Sequence, residues 1–300
     1  MKKLTTLLFV LVFASTVAFA QNSAETIQNG DDNDATVTQV ASSDAHIFQG
    51  SGFVFYPNAD ENGTAENNTA EIDQNGNFTA YIGQGINEGT SINSEAFVTQ
   101  SGSDGFADIF QGVLGTAENA IANISQNGSG NTGSIRQSQF GSAVDVDASI
   151  SQAGTGNWSS VLQGFGGNSS STDNSATINQ QGNSNNSTTI LQGSNVAAAG
   201  PGSGAGTAEN NTGTIIQNGS SNGTTGDGVR INQGINGGSA FNNTGYILQD
   251  GDFNNATVNQ GVGNNILSEN SDASIYQYSD NNVATVDQIG DNNSAAITQN

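Results

Sequence analysis

The stretch from Ala284 to Gln299 reads ATVDQIGDNNSAAITQ. It contains the five-residue phrase small-x-(Ile/Val)-x-Gln, then a loop of Gly, Asp and Asn, and then the phrase again. The phrase occurs 19 times and ends on Gln39, Gln49, Gln74, Gln84, Gln100, Gln111, Gln126, Gln137, Gln152, Gln163, Gln180, Gln192, Gln217, Gln233, Gln249, Gln260, Gln277, Gln288 and Gln299. Such recurrence predicts stacked copies of one structural unit.

Three positions before each of these glutamines are strongly restricted. Two residues earlier the chain has Ile in 14 cases and Val in five; four residues earlier it has Ala in 13; six residues earlier it has Asn in 11. These positions share parity, so on a strand they face the same side. Alternation with β-branched residues predicts strands rather than helices, and it argues against a disordered Gln/Asn-rich tract.

The spacing of the glutamines predicts the architecture. Short intervals, usually of 10–12 residues, alternate with longer ones, usually of 15–17. A strand-turn-strand unit of this size cannot bury its apolar face alone, but stacked units can. We therefore predict an all-β fold, a β-solenoid with two facing sheets in a cross-β arrangement and one strand pair per rung. Nine to ten rungs at about 4.8 Å would make a rod about 45 Å long.

The inward positions are the candidate core of a fibre. We expect Ile and Val to stack as an apolar spine, and Gln and Asn amides to bond to their own copies in adjacent rungs. Besides the 19 glutamines, these ladders contain Ile47, Ile72, Ile109, Ile124, Ile135, Ile150, Ile178, Ile190, Ile215, Ile231, Ile247, Ile275 and Ile297. The asparagines expected in them include Asn33, Asn131, Asn254, Asn282 and Asn293.

Segments outside the phrase define the expected domain boundaries. Residues 1–20 have two lysines, an apolar run and an A-x-A ending, which is typical of a secretory signal peptide rather than of a membrane anchor. Residues 21–300 form the expected repeat domain. Two insertions, 50–69 and 193–212, hold both prolines of the chain. Because proline cannot donate to a β ladder, we interpret both as loops on the rim.

Composition excludes several kinds of partner. The net charge is −23, and removal of residues 1–20 with their two lysines would leave −25. Nucleic acids and anionic membranes attract clustered Lys and Arg, so neither is an expected partner. After residue 20 no stretch is long and apolar enough to predict membrane insertion. The absence of cysteine excludes a disulfide framework.

The turn between phrases carries a family resemblance. The pattern Gln-x-Gly-x-x-Asn-x-Ala-x-x-x-Gln, which resembles the curlin repeat, describes residues 28–39, 249–260 and 288–299. Residues 126–137 fit with Gly133 in place of Ala, and residues 277–288 fit with Ser279 in place of Gly. The resemblance extends over nearly all of residues 22–300.

This resemblance implies a function. Curli-type subunits of Gram-negative bacteria are exported through a dedicated outer-membrane pore with accessory proteins. They assemble outside the cell, with a nucleator, into amyloid fibres of the biofilm matrix that serve adhesion. By this resemblance the chain is a secreted, cell-surface homopolymer subunit. The alternatives are a fibre nucleator or minor subunit, and a monomeric β-solenoid adhesin.

Open-ended stacking favours the polymer. Only Asn300 follows the phrase that ends at Gln299, so we expect an uncapped last strand whose edge can pair with another copy. An ice-binding solenoid would need a regular outer row of Thr-x-Thr, and this row fails beyond Thr36 and Thr38 because the neighbouring strand offers Glu71 and Asp73.

The sequence does not predict a set of catalytic residues. His46 is the only histidine and lies at an outward position, and cysteine is absent. Acidic residues in the turns are expected to oppose lateral association by charge repulsion. Specific calcium sites are not expected, because the nonapeptide of calcium-binding solenoids does not occur, and any cation binding would be weak and diffuse. The sequence therefore predicts no enzyme, no cofactor and no metal site. Four outward residues, Phe48, Phe110, Leu162 and Leu191, suggest either incidental surface or a stripe for lateral bundling.

Overall fold

The computed structural model describes residues 22–50, 63–195, 205–224 and 228–300. The expected signal peptide at 1–20 lies outside them, as do residues 51–62 and 196–204 of the two expected insertions. The described residues form strands and turns without a helix. All strand pairs are parallel, and successive strands stack as in a β-solenoid.

The first face of the solenoid is a stack of ten parallel strand segments. Its members are β1 (Ser23–Gln28), β3 (Asp44–Gln49), the second halves of β5 (Thr69–Ile86) and β7 (Glu95–Val113), β10 (Thr132–Gln139), β13 (Trp158–Gln163), β16 (Thr188–Gln192), β19 (Val229–Ile235), β22 (Asn255–Val262) and β25 (Val283–Gln288).

The second face is an equivalent stack. It comprises β2 (Asp34–Val40), the first halves of β5 and β7, β9 (Ile121–Ser129), β12 (Asp147–Thr155), β15 (Ser175–Gln181), β18 (Thr212–Gln217), β21 (Thr244–Gln249), β24 (Asp272–Gln277) and β27 (Ser294–Gln299). Because β5 and β7 continue through the corner, the two faces join into one 18-stranded sheet.

A third face corrects the expectation of one strand pair per rung. Nine short strands form a separate parallel sheet within the longer connections. They are β4 (Thr64–Glu66), β6 (Thr90–Ile92), β8 (Thr116–Glu118), β11 (Ser142–Val144), β14 (Ser170–Thr172), β17 (Thr207–Glu209), β20 (Ser239–Phe241), β23 (Leu267–Glu269) and β26 (Gly290–Asp291). The ends of both expected rim loops are thus strands, because β4 and β17 lie in them.

Corner residues explain why the chain turns between faces. An Asn or Asp with positive φ follows each of the nine strands of the third face, at Asn67, Asn93, Asn119, Asp145, Asp173, Asn210, Asn242, Asn270 and Asn292. These short polar side chains tolerate the left-handed region at least cost among residues with a Cβ. The middle residue of each three-residue strand is Ala or Ser and is at most 1% exposed, so the third face closes the rung with small side chains.

The core lies between the first and second faces. It contains Ile or Val and Ala from nearly every strand of both faces in one continuous cluster. The faces approach closely: a Cβ added at Gly245 would lie 2.8 Å from Cγ2 of Ile231 on the opposite face. Small residues four positions before most of the glutamines are therefore required by the separation of the faces.

The outward stripe on the first face is mostly covered. Phe48 and Phe110 are 5% and 7% exposed, and they pack with Ile86 and Val113, the last residues of β5 and β7. Leu191 is also buried and Leu162 is half-buried. The structure thus contradicts the view of these side chains as open surface, because residues after the corner glycines fold back over them.

Candidate functional site: side-chain ladders and open ends

Two uninterrupted ladders of glutamine run along the rod. On the first face, Nε2 of each glutamine donates to Oε1 of the glutamine in the next rung at 2.7–3.0 Å. This ladder contains Gln28, Gln49, Gln84, Gln111, Gln137, Gln163, Gln192, Gln233, Gln260 and Gln288. Every bond runs in the same direction, from the N-terminal rung to its C-terminal neighbour.

The second face has a matching ladder with the same direction. Its members, at 2.7–3.0 Å, are Gln39, Gln74, Gln100, Gln126, Gln152, Gln180, Gln217, Gln249, Gln277 and Gln299. All 19 glutamines of the phrase therefore lie in one of the two ladders, and Gln28 is added to them. Stacked amides satisfy one another, so their burial leaves these polar groups bonded.

Each ladder also ties the two faces together. Nε2 of Gln163 donates to the backbone oxygens of Asp147 and Asn174, at 3.2 and 3.3 Å, where β12 begins on the opposite face and where the corner before β15 lies. Equivalent bonds recur at Gln84 and Gln137. One side chain thus links two rungs along the axis and two faces across the core.

The isoleucines occupy the expected inward positions. On the first face these are Ile47, Ile109, Ile135, Ile190 and Ile231, and on the second face Ile72, Ile124, Ile150, Ile178, Ile215, Ile247, Ile275 and Ile297. All are at most 2% exposed except Ile297, which is half-buried in the end strand β27. The apolar spine is continuous through both faces except at Thr26 in β1.

The asparagines stack mainly through the main chain; one of the expected amide-to-amide bonds is present, from Asn211 Nδ2 to Asn174 Oδ1 at 3.1 Å. In the corner between the second and first faces, Oδ1 of each Asn accepts from the backbone N–H of the Asn in the next rung at 2.8–3.1 Å. This ladder contains Asn131, Asn157, Asn185, Asn222, Asn254 and Asn282. The side chain sits in a tight corner, where the nearest donor is the main chain.

A second asparagine ladder lies in the corner before the second face. Asn33 accepts from the backbone of Asn68, and Asn174, Asn211 and Asn243 continue the pattern farther along. In this corner the middle rungs have Ser94, Ala120 and Val146 instead, and the small apolar cluster there includes Ala120 and Val146. Asn293 closes the series by donating its backbone N–H to Ser271 Oγ at 3.2 Å.

Counting back from glutamine missed two members of the first asparagine ladder. Asn185 and Asn222 are completely buried in it, whereas the counted Asn186 is half-buried outside it. Extra residues between each of these asparagines and the next glutamine shift the count. A sequence signal did exist for the third face, since a small-small-x-(Asn/Asp) run recurs in the longer connections.

The two ends of the rod expose these ladders. In β27, Ala295, Ile297 and Gln299 are half-buried, while their partners in β24 are at most 1% exposed. At the other end all six residues of β1 are exposed. Among the described residues, β1 pairs with β3 alone and β27 pairs with β24 alone. Each end therefore presents an edge strand with unpaired backbone groups.

The repeat unit at the C-terminal end has a recognised counterpart. Residues 269–300 match the family model described as "Curlin associated repeat". The chain contains a curlin-associated repeat. The matched residues hold the last complete rung, from the end of β23 to β27, and earlier rungs repeat its glutamine contacts. A comparison with curated proteins gives no match.

Within the described ranges, no group of three or more His, Asp or Glu side chains could hold a metal ion. The same residues include no helix that is long and apolar enough to cross a membrane. His46 has a structural environment: its Nδ1 lies 3.2 Å from Glu25 Oε2, and its ring stacks on Tyr81 at 4.8 Å.

Proposed function

We propose that this protein is a secreted subunit that assembles head to tail into extracellular, curli-like amyloid fibres. The observation that carries the proposal is the match between its two open ends. Each end presents the inward residues that every internal rung presents to the next one. A second copy can therefore continue both faces without a new kind of contact.

The register of the junction follows from continuing the internal register. β1 of the incoming copy would pair with β25, so that Gln28 follows Gln288 and Ala24 follows Ala284. β2 of the incoming copy would pair with β27, so that Gln39 follows Gln299. Both glutamine ladders and the Ala positions then continue across the boundary. One step of the apolar spine is imperfect, because Thr26 replaces Ile or Val in β1.

Hydrogen-bond direction supports head-to-tail rather than head-to-head growth. At the C-terminal end, Nε2 of Gln288 bonds to Asp272 O at 2.8 Å, and Nε2 of Gln299 bonds to Val283 O at 3.2 Å. An amide nitrogen carries two hydrogens, so each can still donate to a following rung. At the other end, Oε1 of Gln28 and Gln39 is the acceptor that such a donor requires.

The remaining functional expectations follow from the resemblance to curli-type subunits. We propose export by a curli-type secretion pore with accessory proteins, nucleation by a partner protein, and a role of the fibres in biofilm matrix and cell adhesion. Residues 1–20 are the proposed export signal. The proposed fibre core consists of the glutamine, isoleucine and asparagine ladders.

The test is assembly of the chain without residues 1–20. At micromolar concentration we expect fibres by electron microscopy, a meridional reflection at about 4.8 Å and a thioflavin signal whose lag is abolished by preformed seeds. A folded chain that stays monomeric for days would overturn the proposal and favour a monomeric adhesin.

A matched pair of variants tests the role of the ends. Val37 points inward in β2 and Thr38 points outward and is exposed. Val37→Lys places a charge against the next copy's apolar spine, so we expect seeded elongation to fall at least tenfold. Thr38→Lys adds the same charge beside it, and we expect elongation within about twofold of the original chain. Equal rates for the two variants would contradict assembly through this end.

A further inference from the structure

A groove on the outer side of the first face is unlike the rest of the array. It encloses about 350 Å³ and crosses β7, β10 and β13. In its first row, Phe106, Thr132 and Trp158 are in register. Because the threonine side chain is small, the space between the two aromatic side chains stays open. The backbones of the outer two strands are about 10 Å apart, which is two strand spacings.

The floor of the groove holds an incompletely satisfied charged pair. Asp108 is 6% exposed, and its Oδ2 lies 3.4 Å from Nη2 of Arg136. Two buried atoms, Asp108 Oδ1 and Arg136 Nε, have no hydrogen-bond partner. Burial raises the pKa of Asp108, and the charge of Arg136, with side-chain hydrogen bonds from Ser134 and Arg136 to this carboxyl, partly opposes that shift. Both atoms are covered, and they lie in side chains that line an open groove. An unpaired acceptor and an unpaired donor there leave two hydrogen bonds that a ligand would complete after a small shift of the side chains over them.

The charged pair is held in place by its surroundings. Arg136 Nη1 donates to Oε1 of Gln139 at 3.2 Å, and the guanidinium lies 5.8 Å from the ring centroid of Phe110. Trp158 is the only tryptophan of the chain, and it is 39% exposed at the rim of this groove. A repetitive sequence thus places its single tryptophan at the same groove as Arg136, in a chain with four Lys and Arg.

The chemistry of the groove selects among ligand classes. A ligand carboxylate would be repelled by the carboxylate of Asp108, and a ligand ammonium group would be repelled by the guanidinium of Arg136. A neutral ligand is therefore favoured. It needs a donor for Oδ1 and a neighbouring acceptor for Nε, which two adjacent hydroxyl groups supply. It also needs a flat apolar side to lie against an aromatic ring. A pyranose ring has both features, and about 350 Å³ lies within the usual size of ligand pockets.

We propose that this groove binds a neutral pyranose unit of an oligosaccharide, with vicinal hydroxyls on Asp108 and Arg136 and the ring against Trp158. The site does not depend on assembly, because all of its residues lie in three adjacent rungs of one chain. It would give a single copy a carbohydrate-binding activity beyond fibre formation.

The fluorescence of Trp158 provides a direct readout. We titrate the soluble chain with three neutral tetrasaccharides, laminaritetraose, cellotetraose and chitotetraose, and with the cationic glucosamine tetramer. At least one neutral ligand is expected to give a saturable change in emission, with at least tenfold weaker binding of the cationic tetramer. Absence of saturation with all three neutral ligands would overturn the proposal.

Two variants separate the site from the fold. In Asp108→Asn the amide oxygen is drawn to Arg136, so its NH₂ group faces the groove and the acceptor is lost; we expect at least tenfold weaker binding. Thr132→Phe fills the opening of the groove and should abolish ligand binding. Thr257→Phe, at a half-buried outward position on β22, is the control and should leave binding unchanged. Unchanged affinity in either groove variant would refute the assignment.

Discussion

Gly112 and Gly130 share a backbone conformation but not their surroundings. Their φ angles are 68° and 63°, both in the left-handed region. A Cβ at Gly112 would lie 2.0 Å from the carbonyl oxygen of Thr90, whereas the nearest atom to a Cβ at Gly130 is 4.0 Å away. Alanine substitution at Gly130 therefore tests the energetic cost of a positive φ alone. The same substitution at Gly112 adds the cost of the close approach between the first and third faces.

We expect Gly130→Ala to lower the free energy of unfolding by about 1 kcal/mol, which is the cost of a positive φ in a residue with a Cβ. Gly112→Ala should lower the free energy of unfolding by about 1–3 kcal/mol more than this, because a backbone oxygen must also move. Urea unfolding of the soluble chain, followed by circular dichroism, measures both. Equal losses would contradict the close approach at Gly112.

Sequence parity predicted the inward residues well. Ile135 and Ile275 are completely buried, as expected from their place two residues before glutamine. The bonding partner of an asparagine could not be obtained in this way. Asn131 accepts from the backbone of Asn157 because of the corner geometry, and that geometry is set by residues whose spacing varies.

The glutamine ladder of the first face behaves as a single element that crosses ten rungs. Gln163 accepts from Gln137 at 3.0 Å and donates to Gln192 at 2.8 Å. A glutamate at this position would still accept, but its second oxygen would face Oε1 of Gln192. Because this second oxygen is buried without a donor, the pKa of the introduced carboxyl would be raised.

Gln163→Glu should therefore destabilise the chain by about 3–5 kcal/mol at pH 7, as for other unpaired buried charges. Because the folded-state pKa lies above the unfolded one, stability is present at acid pH and is lost as pH rises through the folded-state value. Urea midpoints measured from pH 4 to pH 8 give this profile. Gln181→Glu, at an exposed neighbouring position, should show little loss at any of these pH values.

The third face shows where strand prediction from sequence stops. Its strands have at most three residues, so an alternating pattern has no room to repeat. Thr116–Glu118 was indistinguishable from turn because only its middle residue, Ala117, is buried. The covering of Phe48 by Ile86 was equally hidden, since it depends on how the chain leaves the corner after Gln84.

In the whole molecule, acidic residues are distributed unevenly along the third face. Within the rod its last positions alternate between acidic and uncharged residues over several rungs, as at Glu66, Ile92 and Glu118. At the ends they do not: Glu269 is in register with Asp291, and Asp31 bridges to Glu66. The proposed junction therefore brings four carboxylates into one column, and like charges directly opposite one another are unfavourable.

Elongation of seeded fibres should therefore accelerate several-fold when NaCl rises from about 10 mM to about 150 mM, because salt shortens the screening length to about 8 Å. The double variant Asp31→Asn with Asp291→Asn should elongate faster at low salt and lose most of this dependence. Asp147→Asn removes an exposed charge in mid-rod, and the salt dependence of elongation should be retained. Thioflavin kinetics at fixed pH and seed concentration distinguish the three chains.

The common direction of the two glutamine ladders has an electrical consequence. Main-chain dipoles largely cancel in a sheet, whereas side-chain amides that all donate toward the C-terminal end add along the rod. Amide oxygens then terminate one pole and amide hydrogens the other. In fibres joined head to tail the two ladders would keep this orientation over many copies, so that a pulsed field would align the filaments and two adjacent filaments would attract most strongly when they point in opposite directions.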